Sequence, residues 1–313
     1  MGTTESGLPT DRGMFCKSVF LGTAAALICA IVGGVLITIG SAGSVLGVTM
    51  FLFLPAAIGF VTVITVHYLR AVAISLSITL ILCLVGLVFT GLEGIVCVVM
   101  ATPILVIGAI MGAAAGSLVK QQLPIEGNFS LAIVPVLAGV SVFGAGKVED
   151  EFAVGYRAEV FESSIIIQAS PEEIWDEMIE FDDVKGPKPL LMRMGLPVPL
   201  SCSVRGSGVG SERICRFSSG FIRERVSRWN APYQLEFDVE EVQLPGRHWL
   251  GFQRATYSLE RRDTGSTKVT RTTTVTSSLR PAFYWRFFER IGTETEHDYI
   301  LNCLKAKVLS DEG

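Results

Sequence analysis

The sequence predicts a membrane α-helical bundle of four or five spans, followed by a soluble α+β domain in which an antiparallel meander is closed by a long C-terminal helix. Three observations carry this. Charge is partitioned: of 313 residues, those before Gly155 include 5 Lys/Arg and 7 Asp/Glu, and those from Gly155 onward include 21 and 23. The first half is a succession of apolar runs of about 20 residues, the length that crosses a bilayer. The second half alternates apolar and polar residues between turn signals, the pattern of half-buried strands.

The spans are expected at residues 19–39, 45–66, 71–92 and 95–118, with short turns between them, so neighbours run antiparallel. A fifth apolar stretch, 128–146, holds Pro135 and is either a further span or a re-entrant or interfacial helix. Arg12 and Lys17 precede the first span, Arg70 follows the second and Lys120 the fourth, while the alternate turns have no Lys or Arg. By the positive-inside rule this places residues 1–18 in the cytoplasm. The domain beyond is then outside with five spans and cytoplasmic with four. No ionisable residue falls in mid-span, which argues against a proton-coupled pump. Gly108, Gly112 and Gly116 form a GxxxGxxxG row, suited to close helix approach either within one chain or in a homo-oligomer.

Residues 147–157 read as a linker and 158–310 as the soluble domain. The stretch SIIIQASPEEIWDEM is a strand running into a helix, with Ser170 as N-cap and Pro171 in the first turn. The segment at 190–196, bracketed by prolines, is a short helix over a cavity mouth or one resting on the bilayer. Strands follow in SCSVRG, SERICRF, GFIRERVSRW, YQLEFDVEEV, RATYSLERR and TKVTRTTTVTSS. The glycines of GSGVGS read as a hairpin turn, not a phosphate cradle. The last helix opens at Pro281.

Alternation gives the inner face. Leu235, Phe237 and Val239 share a side; Cys215 and Phe217 share one that begins with Arg213; Ile222, Glu224 and Val226 alternate against Arg223 and Arg225. Val269, Arg271, Thr273 and Val275 share another. Glu224 and Arg271 thus face inward and would need each other, as a ligand anchor or as a structural ion pair, unless the register turns one to water.

This order of elements resembles the SRPBCC, or START-like, superfamily, which includes polyketide cyclase/dehydrase-like and lipid-transfer proteins. The residues that carry it are SIIIQASPEEIWDEM, GSGVGSERICRFSSGFIRERVSRWNAPYQLEFDV and PAFYWRFF, within about half the chain. The resemblance implies a helix-grip fold, a curved sheet wrapped around the long helix, with a cavity for an apolar ligand. It implies a lining of Cys215, Phe217, Glu224, Phe237, Tyr257, Arg271 and Phe288. The membrane-attached form is similar to bacterial membrane proteins of unknown function, which implies an inner-membrane location.

Three functions follow as alternatives. One is membrane-tethered binding of a lipid or other hydrophobic small molecule. A second is a structural or regulatory protein that meets a protein partner. The third is a cyclase/dehydrase-like enzyme, with Glu224 as acid/base and Arg271 or Tyr257 polarising a carbonyl. The expected partners are the bilayer and an apolar ligand. No GxSxG elbow, P-loop or dinucleotide fingerprint appears. The balanced charge, −2 in each half, gives no basic face for nucleic acid. The seven cysteines show no CxxC or Cys/His cluster, so they are expected to be free, mostly buried thiols, with no metal and no cofactor. Of the three histidines, His67 lies at a span end, His248 in a loop, and His297, among Glu294, Glu296 and Asp298, is expected at the surface.

Overall fold

The computed structural model describes residues 11–40, 47–90, 93–122, 130–152, 155–181, 184–244, 249–263 and 265–310. His248 lies outside them. The chain divides into two compact units, with the boundary at residues 154–155 apart from residues 94–96.

The first unit is helical: α1 (Asp11–Gly40), a π-helical turn (Thr49–Phe53) running into α2 (Leu54–Thr65), α3 (Leu69–Phe89), α4 (Ile95–Gln122) and α5 (Ser130–Phe152). Three stretches are long and apolar enough to cross a membrane, Arg12–Ile39, Leu69–Phe89 and Ile95–Gln122, which fits a membrane protein. The helix Thr49–Thr65 is apolar but shorter, and α5 continues beyond residue 146 through Lys147 and Glu149 to Phe152. In an apolar solvent the hydrophobic effect does not drive helices together, so small residues and backbone-directed polar contacts must. Both are present. A Cβ on Gly112 would lie 1.8 Å from the carbonyl oxygen of Ala56, and one on Gly59 2.1 Å from that of Ala109. The row Gly108, Gly112, Gly116 therefore lies against α2 of the same chain. At the helix ends, Lys120 Nζ donates to the carbonyls of Val63 (2.9 Å) and Val66 (2.6 Å), which no further helical turn would satisfy. Glu149 accepts from the backbone N–H groups of Val48 (2.7 Å) and Thr49 (2.8 Å), a carboxylate at the positive end of the second helix.

The second unit is a curled antiparallel half-barrel around a long helix. Its strands are β1 (Arg157–Ile167), β2 (Glu180–Phe181), β3 (Pro199–Arg205), β4 (Glu212–Phe217), β5 (Gly220–Asn230), β6 (Gln234–Gln243), β7 (Leu250–Asp263) and β8 (Ser266–Ser277). They join in the order β1-β8-β7-β6-β5-β4-β3-β2, so the first two strands are the two edges. The connection between those edges carries α6 (Pro171–Ile179). Its start is a capping box: the Ser170 hydroxyl accepts from the Glu173 N–H, and the Glu173 carboxylate accepts from the Ser170 N–H. The short helix α7 (Leu190–Arg193) buries Met192 and exposes Leu190. Register shifts in β5 and β7 bend the sheet. The glycines of the β3–β4 turn, Gly206, Gly208 and Gly210, all take positive φ, as a tight hairpin connection requires.

Helix α8 (Ala282–Ser310) packs on the concave face. Its Ile300, Leu301, Leu304 and Val308 meet Leu235, Phe237, Tyr257 and Val269 of the sheet and Ile174, Trp175 and Met178 of α6 in one core. The outer face carries paired charges, among them Arg225–Glu240, Arg223–Glu241 and Arg254–Asp238. Such exposed pairs contribute little stability each; they keep this side of the sheet wet and fix its register.

Gly112→Val should lower the unfolding midpoint of the full-length protein in detergent, an overpacking cost of at least ~1–3 kcal/mol. Gly86→Ala on α3, where an added Cβ meets nothing within 4 Å, should leave the midpoint unchanged or raise it.

Candidate functional site

The concave face of the half-barrel is largely apolar, but Arg157 of β1 pairs with the buried Glu289 of α8, and a larger polar island is built from β4, β5, β8 and α8. On β4 and β5, Arg213 and Glu224 stand directly opposite each other. Both are buried, and Arg213 Nη1 donates to Glu224 Oε2 at 3.0 Å. The Arg213 guanidinium lies over the Phe237 ring, 4.3 Å from its centroid, and 5.7 Å from that of Tyr257. From the other side Arg271 of β8, the register partner of Tyr257, approaches the same ring at 5.4 Å. Tyr257 is thus a wall between two guanidiniums, its π-face attracting both.

Helix α8 supplies the other half. Trp285, Glu289, Thr293, His297 and Leu301 recur every four residues and are all buried, so they form the helix stripe that faces the sheet. Glu296, beside that stripe, accepts from Arg271 Nη2 at 2.9–3.0 Å. His297 is fully enclosed at 0% exposure, and its Nε2 shares a 2.7 Å hydrogen bond with the Thr273 hydroxyl of β8. Burial, and then the charge of Arg271, push the His297 imidazole down to about 2, so it is neutral at physiological pH. For Arg271 burial opposes the charge, but Glu296, Tyr257 and Glu224 outweigh it and hold the guanidinium above its ordinary value. Four nitrogens of this island make no hydrogen bond among the described residues: Arg213 Nε, Arg271 Nε, Arg271 Nη1 and His297 Nδ1.

Of the residues expected at the site, the structure brings together Glu224, Phe237, Tyr257 and Arg271, with Cys215 Sγ 3.9 Å from Glu224 Oε2. Phe217 is the last residue of β4, opposite Gly220 at the turn into β5. Phe288 belongs to an aromatic group near the start of α8, 5.2 Å from Tyr284 and 6.3 Å from Trp285. Three expectations are corrected. Glu224 and Arg271 do not pair with each other: adjacent strands give Glu224 to Arg213, and the helix gives Glu296 to Arg271. His297 is interior, because the four-residue row and not its acidic neighbours sets its direction. Cys202 and Cys215 are joined by a disulfide, since antiparallel register sets them opposite each other with Cα atoms 4.1 Å apart. Among the described residues no group of three or more His, Cys, Asp and Glu is placed to hold a metal.

A cleft of about 430 Å³ also lies in the helical unit, lined by Phe53, Ala57, Phe60, Gly112, Leu137 and Ser141 among others. Its one hydroxyl, on Ser141, donates to the carbonyl of Ala138. Its lining is otherwise apolar.

No family profile and no curated protein sequence matches the chain. Solved structures similar to it cover about half of it. A norcoclaurine synthase of Thalictrum flavum, in complex with a transition-state analogue, is 14% identical with a TM-score of 0.36, covering 51% of this chain and 99% of that one. Ara h 8.0201 is 14% identical with a TM-score of 0.35, covering 49% and 99%. A protein of Nitrosospira multiformis is 17% identical with a TM-score of 0.35, covering 49% and 99%. These neighbours are helix-grip folds of the START/SRPBCC type. In this chain the helix-grip reading rests on its own strand order and on the helix laid across the sheet.

Glu224→Ala leaves Arg213 buried without its carboxylate and should cost about 3–5 kcal/mol in stability; Glu224→Ala with Arg213→Met should recover most of it, read as unfolding midpoints. His297 binds its proton only in the unfolded chain between pH ~6.5 and its folded value of about 2. Its contribution is therefore complete above pH ~6.5 and declines as pH falls, by up to about 1.4 kcal/mol per unit. His297→Gln should flatten that acid limb of a stability–pH curve.

Proposed function

We propose that the protein is a membrane-tethered receptor for a hydrophobic small molecule, held on the concave face of the helix-grip unit beneath α8. The observation that carries this is the polar island. Interiors rarely leave buried donors unmet. Ligand sites combine an apolar lining with a few converging polar groups, and Phe237, Tyr257, Arg213, Arg271 and His297 have that composition. The three apolar helices long enough to cross a bilayer support the tether. Anchored in lipid, such a unit draws on a solvent in which apolar molecules are concentrated.

The reading includes a side of the membrane. Among the described residues the helical unit has five helical segments, α1, Thr49–Thr65, α3, α4 and α5. With Arg12 and Lys17 cytoplasmic, five crossings deliver Gly155 to the opposite side. The Cys202–Cys215 disulfide supports the same placement, because such bonds persist in oxidising compartments and are reduced in the cytosol. The integral-membrane, bacterial inner-membrane location belongs to this proposal.

Mass spectrometry of small molecules released from the purified full-length protein should find an apolar species near one per chain; a folded protein that carries none and takes up none would remove the receptor reading. In native membranes Cys202 and Cys215 should accept an alkylating mass tag only after reduction. Labelling of both without reductant would return the domain to the cytoplasm and the bundle to four spans.

A further inference from the structure

We infer that the ligand's polar end is a neutral carbonyl-type oxygen, received by Arg271 beside His297 and the Tyr257 ring. This rests on the receptor reading and names what the site selects. Two features of the island decide it. The first is its hydrogen-bond inventory. The unmet groups of Arg213 and Arg271 are N–H donors, since a guanidinium has no acceptor. Both carboxylates of the island, by contrast, are engaged: Glu224 by Arg213 and Glu296 by Arg271. A ligand that reaches Arg271 must therefore bring an acceptor; the unmet carboxylate oxygen of the same helix row, Glu289 Oε1, lies about two turns from His297, and its other oxygen is paired with Arg157. The second is charge. Arg213 with Glu224 and Arg271 with Glu296 sum to zero, and His297 is neutral. An anionic head group would leave one net negative charge in an apolar interior, which burial penalises heavily. A carbonyl oxygen accepts two hydrogen bonds and leaves the sum at zero. The geometry favours Arg271 as the principal donor. Nη2 holds Glu296, so Nε and Nη1 are the free edges of the planar fork, and the fork is pre-oriented by Glu296 on one side and the Tyr257 ring on the other. His297, packed through Thr273 on the same strand, bounds the site from the helix.

The test uses the full-length protein in nanodiscs and three probes of equal chain length: undecyl methyl ketone, tridecane and tridecanoate. Affinities are measured relative to each probe's partition into protein-free nanodiscs. The ketone should bind about 10-fold or more tighter than tridecane, the effect of a charge-assisted hydrogen bond, and tighter than tridecanoate. The infrared band of its isotope-labelled carbonyl should move to lower frequency on binding. Arg271→Lys keeps a cation beside Glu296 but removes the fork; it should abolish the ketone's advantage over tridecane. Equal binding of ketone and tridecane to the unaltered protein, or tighter binding of tridecanoate, would overturn the inference while leaving the receptor reading intact. Absence of binding by all three would remove the receptor reading itself. Should Arg271→Lys fail to fold, the carbonyl band in the unaltered protein decides alone: an unshifted band overturns the assignment.

Discussion

Arg213 and Arg271 point into the concave face of the sheet, and each must meet a carboxylate there. That constraint organises the second unit. Removing one partner of a buried ion pair costs far more than the pair itself contributes, so the positions of Glu224 and Glu296 are as fixed as those of Arg213 and Arg271. Glu224 comes from the neighbouring strand and locks the β4–β5 register. Glu296 comes from α8 and fixes how the helix lies along the sheet. The helix is therefore held twice: by apolar packing of Ile300, Leu301 and Leu304 at its C-terminal half, and by charge at its middle.

The division of labour along α8 follows from this. Its C-terminal half faces a filled core shared with α6 and the sheet. Its first turns carry Tyr284, Trp285, Phe287 and Phe288, whose rings meet edge-on or tilted. Between these lies the polar island, where Thr273, His297 and the two guanidiniums interrupt the apolar surface. Bulges bend β5 beside Glu224 itself, so the irregularity of the sheet falls where the polar groups are placed.

In the helical unit the constraint is different. In lipid, where water does not drive helices together, association depends on close backbone approach. Gly59, Gly108 and Gly112 permit that approach between α2 and α4. Polar side chains act on the backbone of neighbouring helices: Lys120 on the last carbonyls of α2, Glu149 on the first amides of the second helix, and Ser75 on the carbonyl of Val19 within α1.

Most of the secondary structure was legible, because its signals are local. The Ser170 cap, the prolines around α7, the glycines of the β3–β4 turn and the period-two strands each record a nearby backbone requirement. Alternation also placed Arg213, Glu224, Phe237 and Arg271 on one face. What alternation cannot give is which strands are neighbours and where the helix lands. Glu224 meets Arg213 only because β4 and β5 pair in one register. Cys202 meets Cys215 for the same reason on β3 and β4. His297 is buried only because α8 turns the row from Trp285 to Leu301 toward the sheet. The sequence by itself determined the elements, the apolar half and the inner-face residues, since these depend on propensity and periodicity. The tertiary structure alone decided the charge partners, the disulfide and the enclosed histidine, since these depend on contacts between residues far apart in the chain.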